Sequence, residues 1–148
     1  MDSVLLDTSA LVSLIDTNQY YHKTCHKILK SVTGKLITTS AVLTETFHFI
    51  DIGSPSWKDA VEFVKAYVNV DVDKTSNHLS ECFDLMIMYK DNPMDFADAS
   101  LVVTAGNLGT LNVFTLDVND FSSYKVRRGL AWKPFNILGL DLLKRVKI

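Results

Sequence analysis

The chain has 148 residues, a formal net charge of −2, 47% apolar side chains and 22% charged ones. That length and balance suit one domain with a real core and exclude a disordered chain, and no apolar run reaches the roughly 18–20 residues that span a bilayer. Two cysteines, Cys25 and Cys82, are too few for a disulfide scaffold. With an N-terminus unlike a signal peptide, they point to a reduced, cytoplasmic protein.

Val4-Leu5-Leu6 is a short apolar run of the kind that forms a buried strand, and Asp7-Thr8-Ser9 supplies capping side chains for a helix that follows. A second helix is expected over residues 20–31, broken by Gly34, then a strand over 35–39. Ser40 opens a helix whose apolar positions Val42, Leu43, Phe47 and Ile50 share a face. After Gly53-Ser54-Pro55 comes an amphipathic helix marked by Trp57, Val61, Val64 and Ala66, followed by an alternating strand over 68–72. Residues 75–90 read as a helix with Leu79, Cys82, Phe83, Met86 and Ile87 inward, ended by Asn92-Pro93. A helix over 95–108 stops at Gly109; strands follow at 112–116 and 135–138. With no repeat or linker, strands alternating with helices predict one α/β domain over 1–148, a layered α/β fold with a mainly parallel sheet.

Charge is uneven along the chain. Residues 125–148 hold seven basic side chains against Asp141 alone, a net of +6 beside an acidic body of −8. A basic end suits a phosphate-bearing partner, or simply a solvated surface. Arg127 and Arg128, with Lys125, are the candidates for phosphate contact. Tyr124, Trp132 and Phe135 among them offer base stacking, or closure of the sheet edge.

Ligands of parallel sheets bind beyond the carboxyl ends of the strands. Asp7 ends the first strand, Asp117 follows the strand at 112–116, and Glu45 lies on the second turn of the helix after strand two. Asp95 and Asp98, three apart, share one face near a helix start. Read singly, Asp7 and Asp95 are also good helix caps, Glu45 a solvated helix position, and Asp117 with Asn119 and Asp120 turn chemistry. Converging, four such carboxylates need a cation, and an all-oxygen set favours Mg²⁺ or Mn²⁺ over zinc. His22-x-x-Cys25-His26 has no second ligand pair at zinc spacing, and neither a phosphate-binding glycine loop nor a G-x-S-x-G motif occurs.

Asp7-Thr8-Ser9-Ala10-Leu11, Thr44-Glu45, Asp98-Ala99-Ser100-Leu101 and Thr115-Leu116-Asp117-Val118-Asn119-Asp120-Phe121 together resemble the motifs of the PIN domain family. Order, spacing and length are most similar to VapC-type toxin ribonucleases, over about residues 3–138. The resemblance implies a PIN-like three-layer α/β/α fold and a metal-dependent ribonuclease. It assigns the acidic cluster to Asp7, Glu45, Asp98 and Asp117, preferring Asp98 to Asp95 because an Ala-x-Leu segment follows Asp98. It also implies Mg²⁺ (Mn²⁺ substituting), an RNA substrate, a cognate antitoxin and a homodimer. Thr8, Ser9 and Thr115 are candidates to orient the carboxylates. Two other readings stand beside it. A haloacid-dehalogenase-like phosphohydrolase would need D-x-D where Asp7-Thr8-Ser9 stands, and a catalytically silent binding module would not need four acids.

Overall fold

The computed structural model describes residues 3–71 and 77–146. Its elements run β1 (Val4–Leu6), α1 (Thr8–Ile15), α2 (His22–Lys30), β2 (Leu36–Thr39), α3 (Ser40–Phe49), α4 (Pro55–Tyr67), β3 (Val68–Asp71) and α5 (His78–Met88). They continue through α6 (Phe96–Leu108), β4 (Asn112–Phe114), α7 (Val118–Ser123), β5 (Lys125–Arg128), β6 (Ala131–Pro134), β7 (Asn136–Ile137) and α8 (Leu140–Val146). Five strands form one parallel sheet in the order β3-β2-β1-β4-β7; β5 and β6 form a separate antiparallel hairpin.

The expected layered α/β architecture is present. β1 lies at the centre of the sheet, so both its faces are covered and Val4, Leu5 and Leu6 are all buried. Successive side chains point to opposite faces. Leu5 therefore joins Val113, Ala99 and Val102 in the core under α5 and α6, while Val4 and Leu6 join Leu11, Ile28 and Phe114 under α1, α2 and α4. Gly109, at φ +71°, closes α6 in the left-handed conformation at the expected stop.

Three expectations change. The strand at 112–116 ends at Phe114, because Thr115 and Leu116 turn out of the ladder to bond side chains at the site described below. In α5, Cys82 and Leu85 face inward, whereas Leu79, Phe83 and Ile87 are exposed. Those three recur every four residues along a second apolar stripe, which the period alone does not separate from the first. The hairpin β5–β6 is unanticipated; its two-residue loop is Gly129-Leu130, with Gly129 at φ +64°, a Gly-X hairpin turn. Val72 and Thr75, the ends of the expected strand and helix, lie outside the described residues, as do Asp2 and Lys147. Among the described residues no helix is long and apolar enough to cross a membrane.

Candidate active site

The strand order reverses beside β1: β2 and β3 lie on one side of it, and β4 on the other. At that switch point the carboxyl ends of β1 and β4 leave a crevice. Asp7 stands there, its N–H donating to the Phe114 carbonyl at 3.0 Å. It occupies the N-cap position of α1, yet its side chain makes no capping bond. Instead Asp7 Oδ2 accepts from Thr115 Oγ1 at 2.8 Å and from Ser9 Oγ at 3.0 Å. Both hydroxyls are themselves held. Ser9 Oγ accepts from the Leu116 N–H at 2.9 Å, and Thr115 Oγ1 from the Asp117 N–H at 3.0 Å. The turn after β4 thus grips the carboxylate after β1, with Asp117 two residues beyond Thr115. Thr8 differs: its buried hydroxyl has no hydrogen-bond partner among the described residues.

A second carboxylate arrives from α6. Asp95 caps that helix, accepting the Asp98 N–H at 2.8 Å, so its reading as a cap describes its observed role. The first turn of α6 is tied to the end of β2, because Thr39 and Ser100 hydroxyls meet at 2.7 Å and Ser100 donates to the Ala97 carbonyl. Asp98 is half-buried and accepts the Tyr124 hydroxyl on Oδ2 at 3.0 Å.

The electrostatics show which acids meet. Burial pushes the Asp7 carboxyl up to about 6; Thr115 and Ser9 hold it down and the charge of Asp117 adds to the rise. Burial pushes Asp98 higher, to about 8, with Asp7, Asp95 and Asp117 adding and the Tyr124 hydroxyl opposing. Desolvation and like charge both disfavour the ionised form, so this group resists full ionisation without a cation. Glu45 stands on α3. It lines an adjoining depression with Ser40, Thr44, His48, Asp95 and Phe96. Among the described residues no three acidic, histidine or cysteine side chains already close around a single ion position. The donor chemistry nonetheless fits a hard cation, being all carboxylate and hydroxyl oxygen at mutually repelling groups.

The basic and aromatic candidates separate from this crevice. Tyr124 is fully buried and Phe135 nearly so, which removes both as stacking platforms for bases; only Trp132 is exposed, with the Arg127 guanidinium 6.0 Å from its ring. Lys125 is half-buried beside Tyr124, its N–H donating to the Tyr89 hydroxyl at 3.0 Å. Arg127 and Arg128 are exposed, but β5 runs along α6 away from Asp98 and brings the Arg127 backbone against Gly106. Eight residues of helix separate Gly106 from Asp98, about 12 Å at 1.5 Å per residue. These arginines therefore do not stand on the rim of the acidic crevice.

His22 and His26 bond the Ser13 and Leu14 carbonyls at 2.8 and 2.9 Å, satisfying the end of α1. Between them Cys25 is buried, and burial pushes its thiol up to about 11. That motif is structural. Sequence reasoning missed Tyr124 as a partner of Asp98, and Thr39 with Ser100 as the tie that seats α6. A tyrosine three residues after Phe121, closing a short helix that begins at Asp117, was the available signal.

The sequence model of the PIN domain matches residues 4–126. Among solved structures, the chain is similar to VapC20 of Mycobacterium tuberculosis, a toxin that cleaves the sarcin-ricin loop. The TM-score is 0.68 at 18% identity, covering 79% of this chain and 92% of the other. It is also similar to VapBC2 of Rickettsia felis, solved on a DNA fragment from its promoter, with a TM-score of 0.57 at 13% identity and coverage of 79% and 89%. No curated protein matches the sequence. Identities this low speak for the fold, while the sequence match runs from the start of β1 into β5; the chain belongs to the PIN domain family.

Proposed function

We propose that this chain is a divalent-metal-dependent endoribonuclease, hydrolysing RNA phosphodiester bonds as the toxin of a toxin–antitoxin pair. Asp7, Asp98 and Asp117 would hold Mg²⁺, with Mn²⁺ substituting, and Glu45 would contribute from α3 across the depression it shares with Asp95. The observation that carries this reading is the pair of mutually repelling carboxyls at the sheet's switch point, Asp7 buried and Asp98 half-buried. With Asp98 pushed up to about 8, it keeps a proton at neutral pH unless a cation compensates the charge. When bound, the ion supplies positive charge against the scissile phosphate and makes water a better nucleophile at neutral pH.

The chain's own residues orient the acids. Ser9 and Thr115 hold Oδ2 of Asp7 against rotation, and the backbone link from Asp7 to Phe114 keeps the ends of β1 and β4 together. Such outer partners are worth roughly 10–100-fold in metal affinity or activity. Hydrolysis then adds a water oxygen to phosphorus and returns its proton to the leaving oxygen.

The same reading treats residues 1–148 as one working domain in the cytoplasm, with Lys125, Arg127 and Arg128 as outlying RNA contacts. It makes an antitoxin and a second copy of the chain the protein partners. Support comes from the PIN family match and from toxin structures of shared fold. Calorimetric titration of Mn²⁺, paired with cleavage of a structured RNA, tests it. Saturable heat and cleavage that Asp7→Asn abolishes are expected; heat unchanged by Asp7→Asn would leave a silent binding module as the better reading.

A further inference from the structure

We propose that Tyr124 is a positioning residue for the candidate centre, fixing Asp98 Oδ2 through its hydroxyl and thereby setting how tightly the site holds its cation. The inference rests on the metal reading above and names a residue to which that reading assigns no part. Tyr124 closes α7, the helix that Asp117 opens, so one short element supplies one acid and fixes another. Its ring is fully buried, packed edge-on against Phe121 at 5.1 Å and Tyr89 at 5.3 Å between centroids. A tyrosine has two rotatable side-chain torsions, and packing on two sides holds both, so the hydroxyl is fixed before any ligand arrives.

Two acceptors face that single O–H. Asp98 Oδ2 lies at 3.0 Å and the Pro93 carbonyl at 3.4 Å. The shorter contact is to the group that can carry charge, and charge-assisted hydrogen bonds are about twice as strong as neutral ones. Pro93 precedes the cap residue Asp95, so the same hydroxyl also touches the loop leading into α6. Asp98 is thereby fixed from two directions, by its helix and by the end of α7. A phenol keeps its proton at neutral pH, so Tyr124 is the donor and the carboxylate the acceptor.

Tyr89 provides the control, because it shares the aromatic contact with Tyr124, but its hydroxyl accepts from the Lys125 N–H. Mn²⁺ titration by calorimetry on the full chain, with thermal melts of each metal-free variant, separates positioning from packing. Tyr124→Phe is expected to weaken Mn²⁺ about 10–100-fold, the range for outer partners of metal ligands, and Tyr89→Phe by less than about 2-fold. In an Asp98→Asn background, Tyr124→Phe should then add less than about 2-fold, because the partner carboxylate is gone. Unchanged affinity in a folded Tyr124→Phe, or equal losses in both tyrosine variants, would overturn the proposal while leaving the metal reading intact. Should Tyr124→Phe not fold, a Tyr89→Phe loss of ten-fold or more would overturn it, since packing alone would then move the affinity. A wild-type chain that takes no Mn²⁺ would overturn both.

Discussion

Asp7 and Asp98 have opposite effects on folding and on binding. Each carboxyl is raised in the folded chain above its ordinary value of 3.8, to about 6 and about 8. Without metal, the stability each contributes is complete below pH 3.8. Asp7 loses its share as the pH climbs through about 6, and Asp98 as it climbs through about 8. For the fully buried Asp7 the shift corresponds to about 3 kcal/mol at 1.36 kcal/mol per unit. Chelated Asp7→Asn should therefore be more stable than the parent by about 1–3 kcal/mol in urea unfolding at pH 7, and equal to it near pH 4. A gain of the same size at both pH values would show that the carboxylate charge is not the cause. The same variant, with Asp98→Asn and Asp117→Asn, should lose metal-dependent RNA cleavage while remaining folded by circular dichroism. A variant that cleaves at the parent rate would remove its residue from the centre. Mn²⁺ at 100 times its dissociation constant should stabilise the parent by about 2.7 kcal/mol and Asp7→Asn hardly at all, as read by the shift in thermal midpoint.

The hairpin β5–β6 and helix α6 form one structural unit, because a Cβ on Gly106 would meet the Arg127 carbonyl at 3.2 Å. Close backbone approach there needs the missing side chain. Gly106→Val is expected to force the hairpin outward and cost about 1–3 kcal/mol, the usual range for overpacking. Urea unfolding measures it, and a neutral result would mean the hairpin docks loosely. The same hairpin carries Arg127 and Arg128, exposed and away from the acids. If they contact RNA phosphates, Arg127→Ala with Arg128→Ala weakens binding about equally across RNA sequences. It also flattens the salt dependence by about 0.7 in log K per lost contact. Mn²⁺ affinity should stay at the parent value. An unchanged salt slope in filter binding would make the pair ordinary surface charge.

Viewed as a whole, the molecule leaves much of its helical surface apolar. Leu79, Phe83 and Ile87 line one exposed stripe of α5, with Phe83 6.2 Å from Phe96 between ring centroids, and Phe49, Ile52 and Tyr67 are exposed elsewhere. The homodimer we propose would bury such surface, and two-fold symmetry is the usual arrangement for identical chains. Light scattering at micromolar concentration should give twice the chain mass. Phe83→Glu with Ile87→Glu should return it to a monomer with little change in fold, since neither side chain reaches the core. A dimer that survives the double variant would place the interface on another face.

Several features were legible from residue order alone. Val4-Leu5-Leu6, a short apolar run ended by Asp7-Thr8-Ser9, read as a buried strand and is one. The alternation of strands with helices then entailed a parallel sheet, and a parallel sheet entails a crevice at its strand ends. That crevice is where Asp7 and Asp117 were expected, with Asp95 and Asp98 at a helix start near it, while the choice of Asp98 and the grouping with Glu45 came from the resemblance to the PIN domain family. Where Glu45 stands, lining a depression with Asp95, was not legible, because it depends on how α3 leaves β2 and not on spacing along the chain. The Asp95 cap was legible as one of two readings of that acid, whereas the hold of Tyr124, 26 residues beyond, on the Asp98 carboxylate was not. Periodicity states which side chains share a face of one element. It carries no information about which hydroxyl from a distant element arrives opposite a carboxylate, because that contact is set by packing of α7 and the hairpin against α6.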